Sequence, residues 1–352
     1  MSLTILSVAY PLARVSPDAA GGAEQVLSML DRGIVEAGHR SIVVAQEGSV
    51  AADTLVPLPM VAGDLDETAT LRAQVATRFA IASALARFPV DLVHLHGIDF
   101  HAYLPPPGPP VLATLHLPPS WYPAEALRPS RPDTWLHCVS DVQHAACSEG
   151  PRLLPPIPNG IDVETLQARH AKRGYAMFLG RICPEKGVHV AIEAAKRAGI
   201  SLLIAGEVFP YETHRRYFDE EVRPRLDARR RFIGPIGLVR KRRLLTAAHC
   251  VLVPSLAAET SSLVAREAAA CGTPVIAYPS GALSDAVDDG RTGMLVTDVA
   301  SMAAAIGRAG EIDPDICRAT ARLRFGKGRM IAAYLDLYAR LTSPRIPLHG
   351  AA

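Results

Sequence analysis

The chain has 352 residues, 49% of them hydrophobic and 20% charged, with a formal net charge of +2. That length holds about two domains, each with its own core; the composition excludes a disordered chain, and the near-neutral charge supplies no global field for nucleic acid. The 26 glycines and 29 prolines are spread through turns without a period, which excludes collagen-like and low-complexity structure.

Residues 1–13 are apolar but short, lack a basic leader and are broken by Pro11, so they read as a first strand and not a signal peptide. No run approaches the ~18 apolar residues of a membrane span. Cys138, Cys147, Cys183, Cys250, Cys271 and Cys317 contain no C-x-x-C spacing and read as reduced, structural thiols. A soluble, cytoplasmic protein with at most peripheral membrane contact is expected.

Leu3–Ala9 is a continuous apolar run, the pattern of a strand buried on both faces of a parallel sheet. Gly21-Gly22-Ala23-Glu24 opens a helix in which Val26, Leu27, Leu30, Ile34 and Ala37 recur at helical spacing, and Gly38 ends it. Ser41–Ala45 is the next strand. This β–loop–α–β unit puts glycines at a helix mouth, where backbone can approach a phosphate closely. It is not a dinucleotide fingerprint: G-x-G-x-x-G is absent, and Ala45-Gln46 stand where an acid would end the second strand, although Glu47 follows by one position.

Leu71–Arg87 reads as an amphipathic helix. Asp91–Gly97 is a strand with His94 and His96 on one face. With His101 nearby the pair invites a metal, but no Asp, Glu or Cys stands at matching spacing, and imidazoles lining a cleft are the simpler reading. Pro110–His116 is a further strand ending in His116. Leu136–Ser140 is another, and the proline-dense Leu153–Asp162, containing IPNGID, is a stiff connector.

Tyr175–Leu179 runs into Gly180-Arg181-Ile182-Cys183-Pro184-Glu185-Lys186-Gly187, with Pro184 in a first helical turn and the helix continuing to Gly199. Arg181 and Lys186 can then point into one cleft, where two fixed cations would stabilise an anionic group. Ser201–Ala205 is a strand. Phe209–Arg243 is rich in arginine with acids interspersed, which suits a solvated, salt-laced helix pair better than an anion-binding patch. Val251–Pro254 ends a strand, and a helix opens near Thr260–Ser262, where Thr260, Ser261 and Ser262 are expected to cap the free amides. That helix start, at the carboxyl end of a strand, suits an anion, and Glu259 and Glu267 bracket it. Pro274–Tyr278 is a strand, Asp289–Val296 a hairpin-like close, Met330–Leu341 a last helix, and 343–352 a tail.

Four strings in order, GGAE, IPNGID, GRICPEKG and the E-x7-E block ETSSLVARE with ACGTPVIA behind it, resemble the retaining nucleotide-sugar glycosyltransferases of family 4 over nearly the whole chain. The resemblance implies an α/β chain of GT-B fold, two Rossmann-like doubly wound parallel-sheet domains facing across a cleft. Residues 1–163 would form the acceptor-side domain, completed by a C-terminal helix at 329–342, and 164–328 the nucleotide-sugar domain. It further implies metal-independent transfer, without a cofactor, from a UDP- or GDP-sugar to an acceptor that could be a saccharide, a lipid-linked sugar or a small metabolite. By resemblance Arg181 and Lys186 hold the diphosphate, assisted by Gly21, Gly22 and the segment Thr260, Ser261, Ser262 and Leu263. Glu259 binds the sugar hydroxyls, Glu267 the ribose, and His116 positions the sugar. The chain departs from the pattern at ETSS, where Phe-Gly often follows the first glutamate, and at LVRKRRLLTAAH, which replaces an acidic helix opening. A sugar-nucleotide epimerase or hydrolase on the same fold, and a non-catalytic nucleotide-sugar-binding protein, are the alternative readings.

Overall fold

The structure, a computed structural model, describes residues 2–147, 150 and 152–343; the tail expected at 343–352 lies outside them apart from Ser343. The first sheet takes strands β1 (Thr4–Val8), β2 (Arg40–Gln46), β3 (Thr54–Leu58), β4 (Leu92–Leu95), β5 (Val111–Leu115), β6 (Thr134–Cys138) and β7 (Leu153–Leu154), in the spatial order β3-β2-β1-β4-β5-β6-β7. The second takes β8 (Tyr175–Leu179), β9 (Ser201–Ala205), β10 (Arg230–Phe232), β11 (Cys250–Val253), β12 (Val275–Ala277) and β13 (Gly293–Leu295), in the order β10-β9-β8-β11-β12-β13. Every ladder is parallel. The expected pair of doubly wound α/β domains is therefore what the chain forms.

Each sheet reverses its strand order at one place, between β1 and β4 in the first and between β8 and β11 in the second. The connections on either side of such a reversal leave in opposite directions, so a crevice opens at the carboxyl ends of those strands.

The core follows from the apolar runs. All five residues of β1 are buried. One face of the first sheet packs Leu6, Val8, Ile42, Val93, Phe100 and Tyr103. The other packs Ile5, Val26, Leu30, Leu92 and Leu112 against Met330, Tyr334, Leu337 and Tyr338 of the last helix, Lys327–Thr342. Tyr338 and Thr114 bond the two ring nitrogens of His94 at 2.7 Å each, and Thr114 Oγ1 also bonds His137 Nε2 at 2.7 Å. His94 is thus consumed by the fold. The second core gathers Met177, Ile204, Val251, Ile276 and Ala268.

Several expectations are corrected. The Glu67–Arg87 helix is not amphipathic in the expected sense: Leu71, Val75 and Phe79 face outward, Phe79 at 71% exposure, while Ala69, Ala73, Thr77, Ile81 and Ala84 face the sheet. The sheet-facing side is mostly small, with Ile81 as its large aliphatic residue. Strand β3 went unrecognised because it is an edge strand containing Pro57, partly exposed up to the buried Leu58. The expected hairpin at 289–296 is instead a parallel edge strand, β13 on β12. The arginine-rich stretch carries the expected i,i+4 ion pairs, Arg223–Asp219 and Arg225–Glu221 among them. It is broken, however, into short pieces around Glu212–Tyr217, 218–222, 223–225, β10 and the Leu238–Ala247 helix.

The helix expected from Pro184 to Gly199 is also two elements. A 3-10 turn, Pro184–Lys186, is separated from the Val188–Arg197 helix by Gly187 at φ 65°. A Cβ at Gly187 would lie 2.2 Å from the Pro254 carbonyl oxygen, a backbone atom that cannot swing away. The left-handed conformation alone costs a side-chain-bearing residue about 1–2 kcal/mol. Gly187→Ala is accordingly expected to destabilise the protein by about 2 kcal/mol or more, read as a lower midpoint in urea unfolding; an unchanged midpoint would contradict the packing described.

Candidate functional site

The sequence candidates come from loops at the carboxyl ends of strands. Gly21 and Gly22 follow β1, His96 follows β4, His116 follows β5, Arg181 and Lys186 follow β8, and Glu259 follows β11. Four of these strands, β1, β4, β8 and β11, are the ones flanking the two order reversals.

Lys186 and Glu259, far apart in sequence, meet at 2.5 Å between Nζ and Oε1. Ser255 donates to the same carboxylate oxygen at 2.5 Å. Burial pushes the Glu259 carboxyl up, but the Lys186 ammonium, the Ser255 hydroxyl and the nearby Arg181 guanidinium outweigh it and hold the group below the ordinary carboxylate range. The backbone supports this placement: Glu259 is bridged in parallel to Gly281, and Ala282 N donates to Glu259 O at 2.7 Å.

Across the cleft, the Gly22–Glu36 helix opens without a side-chain cap. The Glu24 carboxylate folds back over Gly21, so that a Cβ there would stand 1.8 Å from Glu24 Oε2. Burial raises the Glu24 carboxyl, opposed by its own backbone amide and by Arg181. Arg181 therefore acts on a carboxylate from each domain. A Cβ at Gly22 would be 3.2 Å from Leu263 Cδ1, so this loop faces the start of the Leu263–Ala270 helix.

The serine cluster does not cap that helix. Ser262 holds the N-cap position at φ 51° with no capping side-chain bond, Thr260 Oγ1 donates to the His116 carbonyl at 2.8 Å, and Ser261 Oγ is buried without a partner among the described residues. Among the described residues no side-chain oxygen caps the first turn, and the Thr260 hydroxyl ties the two domains together.

His116 Nε2 lies 3.0 Å from His96 Nδ1. Burial, with His137 a smaller cause, pushes His116 down to about 3, and burial likewise lowers His96 far below its ordinary value. Both rings are neutral at physiological pH and can bond a hydroxyl without adding charge. Further contacts join the domains: Tyr10 and Tyr211 hydroxyls at 3.1 Å, Leu65 N to Pro210 O at 3.0 Å, Leu238 N to Asp18 Oδ1 at 2.6 Å, and an ion pair between Arg215 and Asp64.

Glu267 sits apart from this group. It is buried, its Oε1 accepts from Lys241 Nζ at 2.5 Å, and the pair borders a cavity of about 90 Å³ whose walls include Gln25, Ser28, Asp162 and Lys327. Glu24, Ser255 and Lys241 are residues that sequence reasoning did not single out. Glu24 ends the GGAE string. Lys241 stands four before Leu245, the spacing of one helix face, and both are buried; that spacing was the one local signal for it, and the acid it pairs with lies 26 positions on.

Comparison with known proteins bears on this geometry. Residues 20–165 match the description "Glycosyltransferase Family 4", and residues 173–311 match "Glycosyl transferases group 1". A 161-residue segment is 37% identical to the glycogen synthase of Mycobacterium tuberculosis, spanning 43% of this chain and 38% of that protein. The chain thus aligns with about two fifths of the length of that relative. The fold is similar, at a TM-score of 0.72 and 27% identity over 97% of this chain and 98% of the other, to a glycosyltransferase involved in avilamycin A biosynthesis. It is similar also to an Anabaena protein solved with UDP and glucose, at a TM-score of 0.74 and 18% identity over 96% of this chain and 99% of that one. Among the described residues no helix is long and apolar enough to cross a membrane. With both halves matched and the GT-B architecture shared from end to end, the chain belongs to the family 4 glycosyltransferases.

Proposed function

We propose that the protein transfers a sugar, with retention and without a metal in the chemical step, from a UDP- or GDP-sugar to an acceptor hydroxyl. The observation that carries this reading is the Lys186–Glu259 pair with Arg181 beside it, at the crevice of the second sheet and facing the glycine loop of the first. Arg181 and Lys186 would hold the diphosphate. As the bond from the anomeric carbon to the phosphate oxygen breaks, negative charge gathers on that oxygen, and fixed cations placed there stabilise it most in the transition state. The free amides at the start of the Leu263–Ala270 helix, together with Gly21 and Gly22, would add donors of small size.

Glu259, kept ionised by Lys186, can only accept hydrogen bonds, which suits sugar hydroxyls. His116, neutral and oriented by His96, would bond another. Glu267 would meet the ribose from within its pair with Lys241. The departing phosphate oxygen is then the base within reach of the acceptor proton, and attack from the same face gives retention. The UDP and glucose bound by the Anabaena protein of the same fold support a donor of this class.

A thermal-shift panel of UDP, GDP, ADP, CMP, their sugars and NAD, each with EDTA present, tests the reading. A ligand at 100-fold its Kd adds about 2.7 kcal/mol, a rise of roughly a degree or more. The expected result is stabilisation by one nucleoside diphosphate. Stabilisation by NAD alone would overturn the proposal. Donor consumed without an acceptor would indicate the hydrolase or epimerase, and binding without turnover in any acceptor extract the binding protein.

A further inference from the structure

Three potential metal ligands converge beside the proposed diphosphate site. Cys183 and Glu185 belong to the turn that precedes Gly187, and His214 comes from the Glu212–Tyr217 helix on the next crossover. A donor atom from each lies within 4.8 Å of the other two. Cys183 is fully buried and His214 is 9% exposed. His214 Nδ1 is itself buried without a hydrogen-bond partner among the described residues. An imidazole nitrogen buried without a partner loses the hydrogen bond it had in water, so its placement beside a thiol and a carboxylate asks for an explanation.

We propose that Cys183, Glu185 and His214 bind a zinc ion that clamps the Lys186 turn to the Glu212–Tyr217 helix. One sulfur, one nitrogen and one oxygen are a borderline-soft donor set, which suits zinc and not the oxygen-seeking calcium or magnesium. Tetrahedral zinc needs donor atoms somewhat closer than 4.8 Å, a contraction of the order of 1 Å from bond lengths of about 2.0–2.3 Å. Glu185, in a three-residue turn, and His214, in the short Glu212–Tyr217 helix, can supply it by side-chain rotation. A fourth position is left for water.

The charges balance. On binding, Cys183 gives up its thiol proton to solvent, the sulfur–zinc bond forms, and the thiolate and Glu185 carboxylate together offset the two positive charges. His214 binds as the neutral ring, through the buried nitrogen that has no partner among the described residues. A site of zero net charge adds little repulsion to Arg181 and Lys186. No redox step is involved, and the ion takes no part in the transfer chemistry proposed above. Its effect is mechanical: Glu185 adjoins Lys186, and Tyr211, three residues before His214, touches Tyr10 of the first domain.

The test uses the full chain, stripped with chelator and titrated with cobalt, whose thiolate complexes absorb in the near ultraviolet, followed by displacement with zinc. One equivalent of cobalt with a thiolate charge-transfer band is expected. Cys183→Ser should abolish the band, His214→Ala should weaken binding by roughly ten- to a hundredfold or more, in line with the loss of supporting groups at metal sites, and Cys138→Ser should change neither. Should Cys183→Ser fail to fold by circular dichroism, Glu185→Gln supplies the same comparison through weakened binding. No thiolate band in the parent protein, or a band that survives in folded Cys183→Ser, would overturn the proposal. Nucleotide binding is scored separately on the same samples, so a failure here leaves the donor reading untouched, and the reverse.

Discussion

Lys186→Ala is expected to lower kcat/KM for sugar transfer by about 10²–10³-fold, the usual cost of removing one donor aimed at developing negative charge, about 2.7–4 kcal/mol. The ammonium sits where two demands coincide. It would face the diphosphate, and it already holds the buried Glu259 carboxylate at 2.5 Å. Deleting it removes the phosphate contact and leaves Glu259 with Ser255 and the more distant Arg181, so burial gains the upper hand and the carboxyl moves toward protonation. A protonated Glu259 donates where it should accept, and sugar binding suffers as well. Lys186→Arg keeps the charge but not the point geometry and should fall between the two. Steady-state release of nucleoside diphosphate, with circular dichroism to show that the variant is folded, measures this. Kinetics within twofold of the parent would remove Lys186 from the mechanism, whatever the nucleotide proves to be.

The separation between what the residues announced and what only the structure showed follows the range of the forces involved. The strands β1, β8 and β9 were read to within a residue or two because buried parallel strands are continuous apolar runs, and hydrophobicity is a local property of the string. That Arg181 and Lys186 share a cleft was legible because strand ends and helix mouths fix where a loop residue can point, whereas Glu259 was joined to them by the family resemblance. Thr260, Ser261 and Ser262 have the chemistry of caps, yet a tertiary contact won: the Thr260 hydroxyl is taken by the His116 carbonyl of the other domain. Gly187 looked like one more residue of a helix because nothing in its neighbours reveals the Pro254 carbonyl at its back. The helix at 71–87 was legible as a helix but not in its orientation: the sheet takes Ala69, Ala73, Thr77, Ile81 and Ala84, and Leu71, Val75 and Phe79 are left outside. Lys241 was counted among solvated cations because an acid 26 positions away cannot be paired with it by local rules.

That last residue carries the largest expected effect on stability. Lys241→Met should destabilise the protein by about 3–5 kcal/mol, because it leaves the Glu267 carboxylate buried without its cation. Lys241 and Glu267 side chains are only 8% and 7% exposed, so water cannot replace the lost partner without opening the packing between the Leu238–Ala247 and Leu263–Ala270 helices. Against a total of about 5–15 kcal/mol for an ordinary domain, such a loss is a large fraction. Removing both charges is a different matter. Lys241→Met with Glu267→Leu exchanges the pair for apolar groups of similar volume and should recover most of the stability, since forming a buried ion pair costs nearly as much in desolvation as the attraction returns. The cycle of single and double variants in urea isolates the coupling. A Lys241→Met variant less than about 1 kcal/mol weaker than the parent would mean that solvent reaches Glu267 after all. Nucleotide affinity decides the pair's other role: a double variant that regains stability but not binding assigns Glu267 to the ribose, and one that regains both makes the pair a structural element of the second domain alone.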